Sequence, residues 1–219
     1  MAKHPSQERH SRLAFPAALP GRILRLWASL SGLPALSSFY LAGGSGLALH
    51  LGHRQSNDLD FFSRRSFRPE LLARRLTMIA RPEHLSMGEG CLECWIAGFK
   101  IQFLYYPYRL LRPLHKTEYG LLADPQDIAL MKLIAIGQRG CKRDFVDLAC
   151  FLKNFPNVFL LELFGDLPRK YGSMNRAHLL RALTYFAEAE SDPMPRMRWP
   201  LKWDEVKKQL ENAVKDLFR

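Results

Sequence analysis

The residue types and spacing best suited to chemistry are Gly43-Gly44-Ser45, followed by Asp58-Leu59-Asp60. The glycines end an apolar segment and open a run of helical character. Their backbone N–H groups can approach an anion closely, and a helix N-terminus favours bound phosphate. Asp58 and Asp60 are alternate residues at the head of a short extended segment, so both carboxylates project from one face while Leu59 points toward the core. Two adjacent carboxylates repel each other, and a cation relieves that repulsion. Twelve residues separate Ser45 from Asp58, which fits a short helix and a return loop. Together the turn and the acid pair provide what a nucleoside triphosphate requires: close backbone approach to the polyphosphate and carboxylates that hold Mg2+ against it.

The elements that position these residues follow from apolar periodicity. Residues 22–30 carry helical spacing, with Ile23, Leu24, Leu26, Trp27 and Leu30 on one stripe. Residues 38–42 read as a strand stopped by Gly43-Gly44, residues 45–51 as a helix ended by Gly52, and residues 59–62 as a strand. Residues 69–79 form an amphipathic helix with Pro69 in its first turn. Residues 91–96 and 99–106 form a hairpin about Ala97-Gly98. After a loop, Asp124 caps a helix with Pro125 at its first position, which runs to about 136 and ends at Gly137 and Gly140. A second helix covers about 142–153, and the rest is helical, broken at Pro168-Tyr171-Gly172 and at 192–200. Mixed strands and helices followed by helices imply an α+β fold.

The bulk properties restrict the partners. The chain of 219 residues carries a net charge of +11, and its pI is near 9.8. The excess lies in Lys3, Arg9 and Arg12, in Arg64-Arg65 and Arg74-Arg75, and between 196 and 202. Such a charge favours a polyanionic partner, RNA among them. No stretch approaches the roughly 20 apolar residues of a membrane span. Residues 1–11 are charged and lack the apolar core of a secretory signal, so the cytoplasm is the expected location. The cysteines are Cys91, Cys94, Cys141 and Cys150. Cys91 and Cys94 fall on opposite faces of a strand, so reduced thiols are expected rather than a metal site.

The run Phe39-Tyr-Leu-Ala-Gly-Gly-Ser-Gly-Leu-Ala-Leu-His-Leu-Gly-His-Arg-Gln-Ser-Asn-Asp-Leu-Asp-Phe-Phe62 resembles the signature of the AbiEii/AbiGii toxin family, nucleotidyltransferases of the DNA polymerase β-like superfamily. The resemblance continues in Asp127-Ile-Ala-Leu-Met-Lys132 and Arg139-Gly-Cys-Lys-Arg-Asp-Phe-Val-Asp-Leu148. It reaches Ala182-Leu-Thr-Tyr-Phe186 and Asp192-Pro193, so it spans about residues 39–195. It implies a minimal nucleotidyltransferase core, a small mixed sheet flanked by helices, with a helical C-terminal portion. Residues 1–124 would be the core with its N-terminal helix, and residues 125–219 would pack on it and complete the site.

The resemblance also implies roles. Gly43, Gly44 and Ser45 would meet the triphosphate of an NTP, and Asp58 and Asp60 would bind Mg2+. Arg54 and Ser56 would shape the loop before the carboxylates, although Arg54 could equally serve a salt bridge. Lys132 is the only charged residue from 128 to 136, so it either snorkels to water or reaches a phosphate, as the resemblance implies. Asp144 and Asp147 share a helical face. One of them would be an acid tied to activity, unless Asp147 simply pairs with Arg143. Asp127 reads as a first-turn acid favoured by the helix dipole. One position departs from the superfamily: Gln102 stands where many members carry a third carboxylate, and Glu93, opposite it in the hairpin, is a possible substitute.

The function implied is a Mg2+-dependent transfer of NMP from an NTP to an acceptor hydroxyl. The acceptor would be RNA or tRNA, and the enzyme would be the toxin of a toxin–antitoxin pair. The alternatives are a transferase acting on a small molecule or a protein, and a catalytically silent nucleotide-binding module.

Overall fold

The computed structural model describes residues 12–156 and 158–218, which leaves Lys3, Arg9 and residues 1–11 outside the described residues. Helix α1 (Gly21–Ser31) precedes strand β1 (Phe39–Leu41), helix α2 (Gly43–Leu51) and strand β2 (Leu59–Ser63). Helix α3 (Pro69–Leu76) leads into strands β3 (Glu83–Gly88), β4 (Cys91–Ile96) and β5 (Phe99–Tyr105). Two short strands, β6 (His115–Lys116) and β7 (Leu121–Leu122), come before helices α4 (Pro125–Arg139) and α5 (Lys142–Asn154). Helices α6 (Leu160–Tyr171), α7 (Arg176–Ala182) and α8 (Trp203–Asp216) complete the described chain.

The strands form one seven-stranded sheet in the order β3-β4-β5-β2-β1-β7-β6. β2 runs antiparallel to β1 and parallel to β5, so the sheet is mixed and the fold is the expected combination of sheet and helices. Alternation divides the side chains between two cores. Phe39, Leu41, Leu59, Phe61, Ile101 and Phe103 pack with α1 and α3 on one face. Tyr40, Ala42 and Phe62 pack with the C-terminal helices on the other. α2 bridges the two, placing Ala48 and Leu49 in the first core and Leu47 and Leu51 in the second.

Several expectations need correction. Gly43 and Gly44 do not stop β1 at a distance from the next helix but already form the first turn of α2. Gly137 does not end α4; the helix continues to Arg139 and stops at Gly140, which is left-handed at φ 51°. Gly137 is needed for packing instead, since a Cβ there would meet the Leu179 side chain at 2.6 Å. Pro168 lies inside α6, and the break comes at Gly172. β6 and β7 fall in the segment expected to be loop, and β3 is an additional strand before the hairpin. β3 is exposed along its whole length, with only Leu85 and Met87 alternating, and β6 and β7 have two residues each, so none carries a full alternating apolar pattern. The hairpin turn is as expected, with Ala97 and Gly98 both at positive φ, as a type I′ turn demands.

Asp127 does more than complement a dipole. It is fully buried and accepts hydrogen bonds from the backbone N–H groups of Leu111 and Arg112 and from the ammonium of Lys170. It therefore ties the segment after β5 and helix α6 to the start of α4. Removing one partner of a buried pair leaves the other charged and unsatisfied, a cost of about 3–5 kcal/mol. Asp127→Ala is expected to lower the free energy of unfolding in urea by that amount, and an unchanged midpoint would show that the pair contributes nothing.

Candidate active site

The end of β1, the first turn of α2, the head of β2 and one face each of α4 and α5 converge on a cleft of about 390 Å³. Asp58, Asp60, Gly43, Gly44, Arg54 and Ser56 line one side of it, and Lys132 and Asp144 line the other. The sequence-predicted residues are thus brought together, except Ser45 and Asp147, whose side chains sit behind the wall. Ser45 is 1% exposed and spends its hydroxyl on Ser56 Oγ at 2.7 Å and on the Asp58 carbonyl. In this structure it pins the loop before the carboxylates.

The glycines have a steric reason that the sequence did not disclose. Gly43 has φ 61°, and a Cβ there would lie 2.5 Å from Asp60 Oδ2. A Cβ on Gly44 would lie 2.1 Å from an Arg54 guanidinium nitrogen. Both positions are kept bare so that a carboxylate and a guanidinium can close against the backbone. Ala42, at the N-cap of α2, offers no side-chain acceptor, so the first N–H groups of the helix remain anion donors at the cleft wall.

Behind the wall, Asp147 is the hub of a buried charge cluster. Arg54 Nε donates to Asp147 Oδ1 at 2.6 Å and its terminal nitrogen to Oδ2 at 3.0 Å. His53 Nε2 lies 2.7 Å from Oδ1, and Lys132 Nζ lies 2.6 Å from Oδ2. Lys132 also donates to Asp144 Oδ1 at 2.8 Å, and Arg139 Nε donates to Asp144 Oδ2 at 2.9 Å. Asp144 and Asp147 are both fully buried. Burial alone would raise Asp147, but Arg54, Lys132 and His53 hold it well below the usual carboxylate range. Burial likewise opposes ionisation of Asp144, which Lys132 and Arg139 outweigh. For Lys132, burial favours the neutral amine, and Asp147 and Asp144 overcome it to hold the ammonium.

This arrangement corrects one expectation and bears on the alternatives left open for two more residues. Asp147 pairs with Arg54, His53 and Lys132 rather than with Arg143 of its own helix. Arg54 takes the salt-bridge alternative and lines the cleft as well. Lys132 does not snorkel; it is held between two carboxylates with its ammonium at the cleft wall, its charge shared between them. Residues that the sequence reading passed over are His53, Arg139 and the exposed Arg143 at the cleft. Periodicity carries no signal for them. Arg139 lies five residues from the Asp144 it serves, whereas His53 lies 94 residues from Asp147.

The cleft has two ends. Asp60 pairs in register with Gln102, and two residues along the strands Phe62 pairs with Leu104. The first pair and Lys100 make a polar end, while Phe62, Leu104, Tyr106, Met131 and Ile134 make an apolar one. At the polar end, burial raises the Asp60 carboxyl above its usual value. Lys132 pulls it back, and neighbouring Asp58 pushes it up. A carboxylate pair in that condition favours a bound cation. Among the described residues no group of three or more His, Cys, Asp or Glu side chains could hold a metal ion. Two carboxylates suit Mg2+, which keeps several waters and shares its ligands with substrate phosphates.

A mixed sheet, an uncapped helix N-terminus and a D-x-D pair in one cleft are the features of a nucleotidyltransferase. The profile described as "Nucleotidyl transferase AbiEii toxin, Type IV TA system" matches residues 25–115, which include the glycine turn and both aspartates. An uncharacterized protein of Aquifex aeolicus is 34% identical over 184 residues, covering 82% of this chain and 88% of that one. The chain belongs to the AbiEii nucleotidyltransferase toxin family. JHP933 from Helicobacter pylori shares the fold at a TM-score of 0.52 and 19% identity, over 90% of this chain and 89% of that one. The nucleotidyltransferase toxin MenT4 from Mycobacterium tuberculosis does so at 0.51 and 17%, over 88% and 84%. No helix of the described residues is long and apolar enough to cross a membrane.

Because Asp144 and Asp147 titrate lower in the fold than in the unfolded chain, their stabilisation is complete above the unfolded value near about 4 and is lost as pH falls through the folded values. Asp147→Ala is expected to destabilise by about 3–5 kcal/mol at neutral pH, with the gap to wild type narrowing below about pH 4. Urea titrations at both pH values check this, and a gap that stays constant would contradict the assignment.

Proposed function

We propose that this nucleotidyltransferase moves an NMP from an NTP to a hydroxyl of RNA, with tRNA as the expected acceptor, and that Mg2+ is its cation. The observation that carries this reading is the presence of Asp58 and Asp60 in one cleft with the bare N-terminus of α2. In this reading residues 1–124 are the transferase core and residues 125–219 complete its site.

The acceptor hydroxyl oxygen forms a bond to the α-phosphorus as its proton is lost to solvent, and the bond from that phosphorus to its bridging oxygen breaks, releasing pyrophosphate. Asp58 and Asp60 would hold the cation, whose role when bound is to polarise the phosphoryl oxygens and draw charge from the leaving group. The N–H groups of Gly43 and Gly44 would receive phosphate oxygens. Arg143 and Lys132 would offset the charge of the departing pyrophosphate, Arg143 as the more exposed of the two. The apolar end would take the base. Tyr106 offers it a ring and not a free hydroxyl, because its oxygen is 2.7 Å from that of Tyr171.

Lys100, Arg139 and Arg143 beside the cleft and the net charge of +11 support a nucleic-acid acceptor over a cationic small molecule. Membership of a toxin family supports an antitoxin as partner. One observation supports a second reading, a silent nucleotide-binding module: the position beside Asp60 is an amide, which cannot take a proton from the acceptor.

The test is incubation with each NTP labelled at its α-phosphate, Mg2+ and total RNA. Wild type is expected to label RNA with one preferred nucleotide, and Asp58→Ala and Asp60→Ala each to lose on the order of 100-fold or more. Nucleotide binding without pyrophosphate release would establish the silent module, and label on the protein itself would move the acceptor.

A further inference from the structure

Gln102 sits at the centre of a row across the sheet. Asp60 on β2 is its register partner on one side, and Glu93 on β4 is its partner on the other. All three side chains stand on the face that carries the cleft, and Gln102 lines it between Lys100 and Leu104. An amide presents two different atoms, and which of them faces the carboxylate pair decides what it can do there.

The neighbours settle the orientation. Gln102 Nε2 donates to Glu93 Oε2. Glu93 is an ion pair with Lys100, whose Nζ lies 2.9 Å from the same oxygen. An ionised carboxylate can only accept, so Glu93 takes the NH2 side of the amide and never its oxygen. The carbonyl oxygen is then the amide atom left for the cleft, next to Asp60. Without Glu93 the amide could turn over and present an NH2 group, which no cation tolerates.

From this row we infer that Gln102 is a third oxygen donor for the cation held by Asp58 and Asp60, with Glu93 as the positioning residue that fixes its polarity. The inference rests on the transferase reading above, since it concerns the same cation site. It gives the site a charge of two carboxylates and a neutral oxygen. The amide is thereby a working ligand, and Glu93 does not replace it as one.

The experiment is Mn2+ binding by the whole protein, followed by the electron paramagnetic resonance of the free ion, with no nucleotide present. Gln102→Leu removes the donor, and Glu93→Gln replaces the acceptor-only carboxylate with an amide that can present either atom, while keeping size and shape. Both are expected to weaken Mn2+ binding on the order of tenfold, the effect of losing a ligand or the partner that orients one. Glu93→Asp, which keeps an acceptor-only carboxylate, is expected to retain most of the affinity, whereas a merely structural role would give no such rescue. Thermal unfolding of each variant confirms that it folds. Wild-type affinity in Gln102→Leu, with binding abolished in Asp58→Asn and Asp60→Asn, would overturn the inference and leave the transferase reading intact. Mn2+ binding insensitive to all of these positions would overturn both.

Discussion

The carboxylate of Asp147 is the interaction on which the rest of the site depends. It lies on α5 with no solvent contact and holds a guanidinium from the loop after α2 and an ammonium from α4. A buried ion cluster is costly to desolvate and is weak evidence of stability for its own sake. Its effect here is positional. Residues 52–58 have no regular secondary structure beyond a single bridge between Arg54 and Met197, yet they deliver Asp58. Arg54 to Asp147, Ser45 to Ser56, and the backbone bonds of Gln55 to Arg196 and Arg198 to His53 fasten that loop from three sides. The glycines at 43 and 44 are the counterpart on α2, bare so that Asp60 and Arg54 can close on it.

Charge balance across the cleft follows from this hub. Arg54, Lys132 and Arg139 are set against Asp144 and Asp147, so much of the positive charge at the cleft is already committed. The D-x-D pair, the helix N-terminus and the exposed Arg143 are the groups left at the wall. In the proposed reading a cation on the carboxylates and an anion on the N-terminus would complete each other, as a metal-bound nucleoside triphosphate would supply them.

The parts legible in sequence were those written in local chemistry. The strand, glycine turn, helix and D-x-D are consecutive, the hairpin carries its own turn at Ala97-Gly98, and Asp124-Pro125 announces the start of α4. What sequence could not show were long-range partners. Lys132 stood out as a lone charge on an apolar stripe, but its two carboxylates lie on the next helix and only the fold selects them. Asp147 looked ready to pair with Arg143 because both are local, whereas two of its partners, His53 and Arg54, are about ninety residues away. Gly137 and Pro168 read as punctuation, since a breaker's tolerance inside a helix depends on what packs there. The strand β3 carries only Leu85 and Met87 as alternating apolar residues because it is an exposed edge.

The most direct measurement is a crystal structure of the protein soaked with Mn2+ and a triphosphate whose α–β bridge cannot be cleaved. The account predicts anomalous density for the metal between Asp58 and Asp60, phosphates at the first turn of α2, and the base beside Phe62 and Tyr106. Nucleotide bound elsewhere, or bound in this cleft with no metal at the two aspartates, would contradict it.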